Sequence, residues 1–589
     1  MLGALRGCGP PLGLRRPDVA NKRSVSAIRR RNQAARAQAT PPAGDGLAAN
    51  GSGSAVATLE PPGNEAPPPA SATATAASST PAAQESAAVA AWSGAWSKQW
   101  YAVCAVSDLD ASKPQPFELL GKQLVIWRAA DGAWGCLEDR CPHRAVPLSE
   151  GKVWSDGTLM CSYHGWRFKQ DGACTSIPQA SSADAEAVAA ASRRACAVAH
   201  PITERQGMLF VWGEGGLEAE AESRRVPPPV CPLTEETRSQ GRDVLTMTPH
   251  YTRDLPYSFD SLVENVVDPA HVPFSHHGVM GNRDSQKHGM WDMERVSDLA
   301  VRWQTGFGEV TTTYHPPAFV QYSTKNKRGG RSAMSFWFTP LSPGRSRITL
   351  HLITANPELA PLPFKLLASL PPWVDHIRTR SAVFDGDNVF LNGQDRILAE
   401  AGQQEEGASW RKLYYMPTPA DTLVAAYRNW LDTLGGGGPF GSLADPTSPA
   451  AKAAAAVAAA AAAAALPPTG NKDSRRQLLD RYHQHTVHCA SCRNALQKVT
   501  LLRRVAAVAA TVAAAACLLP FLTLLNPAVT AAAASAAGSA GTGGAASLAA
   551  AAGAAWLPGV LAAVLCATWL LLGKLRNQFL FVDYVHNEK

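Results

Sequence analysis

From residue 505 to residue 573 this 589-residue chain has no charged side chain. That absence excludes a solvent-facing helix pair, which needs a polar side. Residues 505–525 are long enough to cross a bilayer, and so is a segment ending at Leu572, with Trp556 and Trp569 as interface anchors. A Gly/Ala/Ser loop joins them. Arg503 and Arg504 precede the first span, and Lys574 and Arg576 follow the second. The bias of cationic residues to one side then folds the two spans as a hairpin. The alternative is a pair of Ala-rich helices buried in a soluble domain. Acids are scarce at the other end: residues 1–40 hold nine Lys/Arg and one acid, Asp18. This is the composition of an organelle transit peptide, and a basic RNA-binding arm would interleave aromatics. The whole chain carries +7 and its first forty residues +8, so the remainder sums to −1. A near-neutral body excludes an electrostatic case for nucleic acid. A regular disulfide framework is also missing among the twelve cysteines, which suggests metal or redox chemistry in a reducing compartment. Residues 41–91 are mainly Ala, Pro, Ser, Thr and Gly, hold too little apolar surface to bury, and read as a disordered Ala/Pro/Ser linker. The Ala tract 449–468, with Lys452, reads as a low-complexity insertion within residues 441–470.

What the chain does contain is two mixed pairs of metal ligands. Cys141-Pro142-His143 is followed after seventeen residues by Cys161-Ser162-Tyr163-His164. Two thiolates and two imidazoles suit a [2Fe–2S] cluster, cysteines on one iron and histidines on the other. A structural zinc site is the competing reading, but it usually pairs Cys with Cys and His with His. The two segments, read through Arg144 and through Gly165-Trp166, resemble the cluster loops of the Rieske family. Around them, residues 124–127 and 208–212 read as buried strands in an all-β domain over residues 92–215. Cys136, Cys174 and Cys196 read as packed core thiols.

Residues 216–440 mix strands and helices. Residues 346–353 alternate like a strand with one wet face. Residues 382–399 and 422–434 read as helices, the latter stopped by Gly435–Gly438. The segment from Glu264 to His277 carries a second candidate site. His271 and His276 are about 140° apart on a straight helix, too far for one face, and Pro273 between them would bend the chain. Asp268, three residues before His271, shares its helix face. Two histidines plus a distant carboxylate make the facial triad of non-haem Fe(II) oxygenases.

Asn265-x-x-Asp268-x-x-His271-x4-His276 resembles the mononuclear iron motif of Rieske oxygenases. The resemblance implies that His271 and His276 bind iron. It implies that Asp268, with Asn265 a candidate catalytic residue beside it, hydrogen-bonds an iron-bound histidine and a cluster histidine of a neighbouring subunit, here His164. Such an acceptor would set the imidazole tautomer. It also implies a homotrimer. The run from Phe384 to Gln394 is similar to the family's carboxylate segment, which gives the third ligand as Asp387, with Asp385 the alternative. Positions i and i+2 point to different helix faces, so only one reaches. Gly386 stands where the family often has an acid.

The segment from Arg481 to Cys492, followed by two spans, is similar to the C-terminal region of the pheophorbide a oxygenase family. That family includes a Rieske protein of the chloroplast inner-envelope translocon, a protochlorophyllide-linked envelope protein and chlorophyllide a oxygenase. Residues 417–421, 427–431 and 581–586 resemble the pheophorbide enzyme, whereas residues 267–273 resemble the translocon-type relatives. The expected architecture is α+β: an all-β Rieske domain (92–215) and a helix-grip-type catalytic domain (216–440). A Cys-x-x-Cys segment (471–500) and the two spans with a short tail (501–589) follow. The implied activity is a chloroplast-membrane monooxygenase, in the envelope or thylakoid with its soluble parts in the stroma. Ferredoxin electrons and O2 would open the macrocycle of pheophorbide a. The alternatives are a redox-sensing translocon component, or a hydroxylase of a phyllobilin, protochlorophyllide or chlorophyllide. A soluble-type oxygenase of a small amine or aromatic fits the apolar hairpin poorly. Cys489 and Cys492 read as a thiol–disulfide switch open to thioredoxin, as two reduced thiols, or as part of a metal site with His485 or His488.

Overall fold

Short apolar runs punctuated by Gly, Pro and Asp build the N-terminal part as three small antiparallel sheets. Trp100–Ala105, Met208–Trp212 and Ile202–Arg205 make the first; Gln115–Leu119, Lys122–Arg128 and Trp134–Glu138 make the second. The third joins Lys152–Val153, Leu159–Met160, Arg167–Phe168 and Cys174–Ser176. The computed structural model describes residues 94–284, 293–305, 308–360, 362–404, 410–440, 472–526 and 543–586, with Ala460, Ala528 and Ser535. The expected transit peptide and linker lie outside the described residues, as does the 441–470 insertion apart from Ala460. Val125, Trp127, Leu137, Leu148, Leu159 and Phe168 pack around Cys141 and Cys161 as a core of their own. Tyr101, Val103, Phe117, Leu124 and Ile126 instead pack into the larger core of the following unit. Of the three expected core thiols, Cys136 and Cys174 are buried, but Cys196 is exposed. It closes the 3-10 turn Arg193–Ala195, at the surface.

A seven-stranded antiparallel sheet follows. Its order is Leu245–Leu255, Arg345–Thr354, Arg331–Ser342, Phe319–Asn326, Gly308–His315, Ala300–Gln304, Glu294–Ser297. The helix Phe259–Val267 packs against one face of it. Phe259, Leu262, Val263 and Val266 pack in one core with Phe336, Phe338, Ile348 and Leu350 of the sheet. Phe384 and Leu391 of the helix Ser381–Gln404 join that core, with Leu423, Tyr427 and Trp430 of the helix Thr422–Thr433. A helix gripped by an antiparallel sheet is the α+β form expected.

The strand Arg345–Thr354 departs from its expected wet face, since nearly every residue in it is buried. It is an inner strand, and its polar residues find partners inside. Arg347 holds Asp254 at 2.5 Å and donates to the Val103 carbonyl at 2.9 Å. The Thr349 and Thr252 hydroxyls meet at 3.0 Å, and Ser346 donates to the Tyr257 carbonyl. Period-two polarity here marks buried hydrogen bonds, which low dielectric strengthens.

The apolar C-terminal segments form two helices, Ala490–Leu524 and Gly543–Gln578. Their most apolar windows are only 17% and 6% buried, unlike core helices of a soluble domain. The Arg503 guanidinium lies over the Trp569 ring at 4.3 Å, so the two charged ends meet on one side, as a hairpin requires. The first helix begins well before residue 505. Its polar first turns dock on both soluble units: Trp373 N–H of the catalytic unit donates to Ser491 Oγ, and Ala490 N–H donates to Asp108 Oδ1 of the N-terminal unit at 2.8 Å.

Asp385 is fully buried between two guanidinium groups, each 2.7 Å away: Arg253 of the edge strand and Arg481 of the C-terminal segment. Removing one partner of a buried pair leaves charge uncompensated and costs about 3–5 kcal/mol. Arg253→Leu is therefore expected to lower the thermal unfolding midpoint of the detergent-solubilised protein markedly, whereas the exposed pair partner Arg224→Leu leaves it nearly unchanged.

Candidate functional site

The first centre is built on two loops with the same hydrogen-bond pattern. Cys141 N–H donates to the Val146 carbonyl at 2.9 Å, and Ala145 N–H returns to the Cys141 carbonyl at 2.8 Å. Cys161 N–H donates to the Trp166 carbonyl at 2.8 Å, and Gly165 N–H returns to the Cys161 carbonyl at 2.9 Å. The fourth residue after each Cys is left-handed, Ala145 at φ 58° and Gly165 at φ 75°. Each loop therefore closes tightly and presents its Cys inward and its His at the tip. Cys141 and Cys161 are buried, while His143 and His164 are half-buried. The two imidazoles lie 4.5 Å apart by ring centre, and His143 stacks on Trp166 at 4.7 Å and 6°. Burial pushes the Cys141 thiol up to about 11, against the His143 and Arg144 backbone N–H groups that pull it down. A bound cation holds such sulfurs as thiolates. His143 Nδ1 is buried without a hydrogen-bond partner. Among the described residues, the groups whose ligand atoms all fall within 4.8 Å of one another do not include this quartet. A wider set of two sulfurs and two nitrogens fits a two-iron cluster better than a single zinc ion.

The second centre forms where a helix is forced to stop. Ser258 Oγ caps the helix Phe259–Val267, and Pro269 excludes helical geometry from Asp268, which sits at φ −100°, ψ 96°. Asp268 Oδ1 then accepts from Ala270 N–H at 2.8 Å and caps a 3-10 turn, Pro269–His271. Asp268 thus reaches His271, its Oδ2 3.5 Å from Nδ1, as a cap of the turn; the expected shared helix face is absent because the helix has ended. A four-residue helix with Pro273 in its first turn follows, and His276 ends it. The bend brings the two rings to 5.2 Å at 80°. Asp387 enters from the helix Ser381–Gln404, its Oδ1 3.2 Å from His276 Nε2 and 4.0 Å from His271 Nε2.

Fit to a cation follows from what these groups lack. The His276–Asp387 approach does not have hydrogen-bond geometry, so both nitrogens of the buried His276 ring are without a partner. Buried orphan nitrogens facing a carboxylate need explaining, and a metal ion satisfies all three groups. Burial lowers the His271 pKa, but Asp268 and Asp387 outweigh it and leave the pKa raised. Between the two candidate carboxylates, Asp385 is committed to Arg253 and Arg481, and only Asp387 faces the histidines. Gly386 between them has its own reason: a Cβ there would meet the Tyr584 ring at 3.2 Å, and Tyr584 OH donates to the Ser275 carbonyl. The site opens into a mainly apolar cavity lined by Asn265, Met280, Phe336, Val383 and Phe384 among others.

Cys489 and Cys492 are brought together with His485, as one of the expected alternatives has it. His488 is not; it turns toward Asp254. The fourth member of that group is His376, which nothing in the local sequence pattern signals, since it lies 113 residues before Cys489. Both sulfurs are buried, which argues against the expected thioredoxin contact.

Residues 99–192 match the Rieske [2Fe-2S] domain, and residues 314–405 match the family described as pheophorbide a oxygenase. Chloroplastic pheophorbide a oxygenase of Oryza sativa subsp. japonica is 36% identical over 427 residues, 69% of this chain and 75% of the relative. The chain belongs to the pheophorbide a oxygenase family. The Arabidopsis thaliana pheophorbide a oxygenase is 34% identical, with 69% of this chain and 74% of the relative covered. Chloroplastic Protein TIC 55 of Pisum sativum is 30% identical, covering 68% and 71%. This member is accordingly a Rieske oxygenase with a [2Fe–2S] cluster and a mononuclear iron. It takes electrons from a donor, O2 and a substrate, and belongs to a chloroplast membrane.

The two carboxylates separate experimentally. Asp387→Ala is expected to reduce iron to that of the cluster alone, with the cluster's visible spectrum kept. Asp385→Asn is expected to retain more iron than Asp387→Ala, because it weakens the support of the site and removes no ligand, and to lower the unfolding midpoint. Metal analysis beside thermal melts checks both.

Proposed function

We propose that this protein is a ferredoxin-dependent monooxygenase that opens the macrocycle of pheophorbide a. The observation that carries this is the convergence of His271, His276 and Asp387 on one mainly apolar cavity. The names of the rice and Arabidopsis relatives supply the substrate. In this reading Cys141, Cys161, His143 and His164 hold the cluster, and His271, His276 and Asp387 hold the iron. The cluster supplies electrons one at a time, and the iron supplies the site where O2 is activated. Overall, O2, two electrons and two protons put one oxygen atom into the pigment and release the other as water; ring opening leaves two carbon ends, and the second takes its oxygen from water.

The residues divide the remaining work. The cavity walls, Met280, Phe336 and Phe384 among them, exclude water and offer apolar surface to a flat pigment. The Arg380 guanidinium also lines the cavity; it is held by Asp375 at 3.0 Å and donates to Thr248 Oγ1. Asp268 keeps one carboxylate oxygen beside His271 and stays part-exposed, 29% of its side chain. That leaves it able to accept from an imidazole of another subunit, and the half-buried His164 at the tip is the group it would meet. We take the working assembly to be a homotrimer in which Asp268 bridges the cluster of one chain to the iron of the next. Anchoring by the hairpin, in envelope or thylakoid with the catalytic unit in the stroma, puts the cavity where an apolar pigment partitions. The redox-sensing translocon alternative is disfavoured, because the Cys489/Cys492 sulfurs it would use as a switch are buried.

Full-length protein given reduced ferredoxin, O2 and pheophorbide a is expected to yield an oxygenated, ring-opened product by mass spectrometry. An intact cluster spectrum with no product would refute the substrate. Asp268→Asn is expected to lower product formation roughly 10–100-fold, as loss of an outer-shell partner does, while both iron centres keep their spectra. Unchanged turnover would remove Asp268 from the electron path.

A further inference from the structure

Outside the iron centres, four metal-ligating side chains converge at the foot of the hairpin. His376, His485, Cys489 and Cys492 are all buried, and their ligand atoms all lie within 4.8 Å of one another. They come from three places in the chain. His376 opens a single π-turn, His376–Arg380, and His485 lies in another, Tyr482–Thr486. Cys489 is the N-cap of the helix Ala490–Leu524, and Cys492 lies in its first turn. Such single π-turns occur frequently at functional sites.

The atoms face one another as ligands would. His376 Nδ1 is 3.6 Å from both sulfurs, and His485 Nε2 is 3.3 Å from Cys492 Sγ. His485 Nδ1 lies 2.6 Å from the Thr252 carbonyl, which can only accept. The proton therefore sits on Nδ1, and the Nε2 lone pair points at the sulfurs. An imidazole whose second nitrogen is fixed by a backbone carbonyl is the usual arrangement of a metal-bound histidine. Tyr251 stacks on the His485 ring at 4.2 Å and meets the His376 ring edge-on at 5.1 Å, so neither ring is free to turn. All described cysteines are free thiols, with no bridge between this pair.

We propose that His376, His485, Cys489 and Cys492 bind one zinc ion, which fastens the membrane hairpin to the catalytic unit. Two sulfurs and two nitrogens at single-ion spacing suit tetrahedral zinc, and four protein ligands in a closed site leave no position for a reactant. Copper(I) shares the softness, but the two imidazoles favour zinc. The inference is independent of the pigment assignment. Its structural consequence is local and definite. His376 begins the turn that runs straight into the helix Ser381–Gln404, which carries Asp387. His485 is held to the edge strand Leu245–Leu255 through Thr252, and the two cysteines start the hairpin. One ion would thus tie the sheet, the Asp387 helix and the membrane hairpin at a single point. Oxidation of the thiols would then first require loss of the ion.

The test uses the full-length chain in detergent, with zinc and iron counted together by mass spectrometry. The expected result is about one zinc per chain, with X-ray absorption at the zinc edge giving two sulfurs near ~2.3 Å and two nitrogens near ~2.0 Å. His376→Ala and Cys492→Ser are expected to lose most of the zinc while the visible spectrum of the Rieske cluster persists. Should either variant fail to fold, the wild-type metal ratio and the absorption spectrum decide alone. Zinc at trace level in wild type, iron in its place, zinc fully retained in both variants, or a Cys489–Cys492 disulfide in the isolated protein would each overturn the proposal.

Discussion

Asp385, held between Arg253 and Arg481, is the interaction on which the rest of the structure depends. It sits on the same helix as Asp387, two residues earlier, and points the opposite way. Arg253 ties it to the edge strand of the sheet, where Gln484 also accepts from the same guanidinium at 2.7 Å. Arg481 ties it to the C-terminal segment, and donates onward to the Gln578 carbonyl at the end of the second hairpin helix. Asn388 on the helix reaches Gln484 and the Leu478 carbonyl, closing the network. Buried charges persist only when paired and hydrogen-bonded, so this network fixes the rotation of the helix about its axis. That rotation turns Asp387 toward His271 and His276. The position of the candidate iron ligand is thus set by a charge cluster on the far side of the same helix.

Much of this was legible in the sequence, and the reason is chemical. The Cys141/His143 and Cys161/His164 pairs are local motifs, and local motifs survive being read one residue at a time. The same holds for His271 and His276, where Pro273 announced the bend that brings the rings together. The helices 382–399 and 422–434 appeared within a few residues of their real ends because their apolar period is strong. What escaped was whatever depends on contacts between distant segments. Asp385 and Asp387 look alike until Arg253 and Arg481 are placed beside one of them. Gly386 looked like a missing acid until the Tyr584 ring occupied the space. The strand Arg345–Thr354 carried the alternation of a wet face, yet its polar residues are the buried hydrogen-bonding groups of an inner strand. His376 had no signal at all, because its partners lie in the C-terminal segment, Cys489 being 113 residues further along the chain.

The C-terminal segment has two jobs that its sequence presents as one. Residues 472–489 connect the soluble unit to the hairpin, and they also hold the helix that carries Asp387, through Arg481 on Asp385 and Gln484 on Asn388. Thr486 donates to the Phe579 carbonyl at 2.7 Å, and Asp480 pairs with Phe581 as an isolated bridge, so the segment clasps the returning end of the hairpin. Tyr584 beyond it reaches under His276 to the Ser275 carbonyl. An anchor that merely held the protein to a membrane would need only a linker. This one is tied to the helix that carries Asp387, so truncation before residue 472 would remove Arg481, Gln484 and Tyr584 together and leave Asp385 with one of its two charge partners.

The two candidate ligand sets of cysteine and histidine show how spacing separates chemistries that composition does not. Each has two sulfurs and two imidazoles. At the Rieske tip the cysteines are buried, the histidines half-buried, and the four ligand atoms do not gather within single-ion distance. That leaves room for two metals and an outward face through which an electron can leave. At the hairpin foot all four side chains are buried and their ligand atoms lie within 4.8 Å of one another. There is room for one ion, no open position, and no face toward a donor or acceptor. A redox centre needs the first arrangement, because electrons must enter and exit. A fastener needs the second, because a closed shell holds its geometry without exchanging anything.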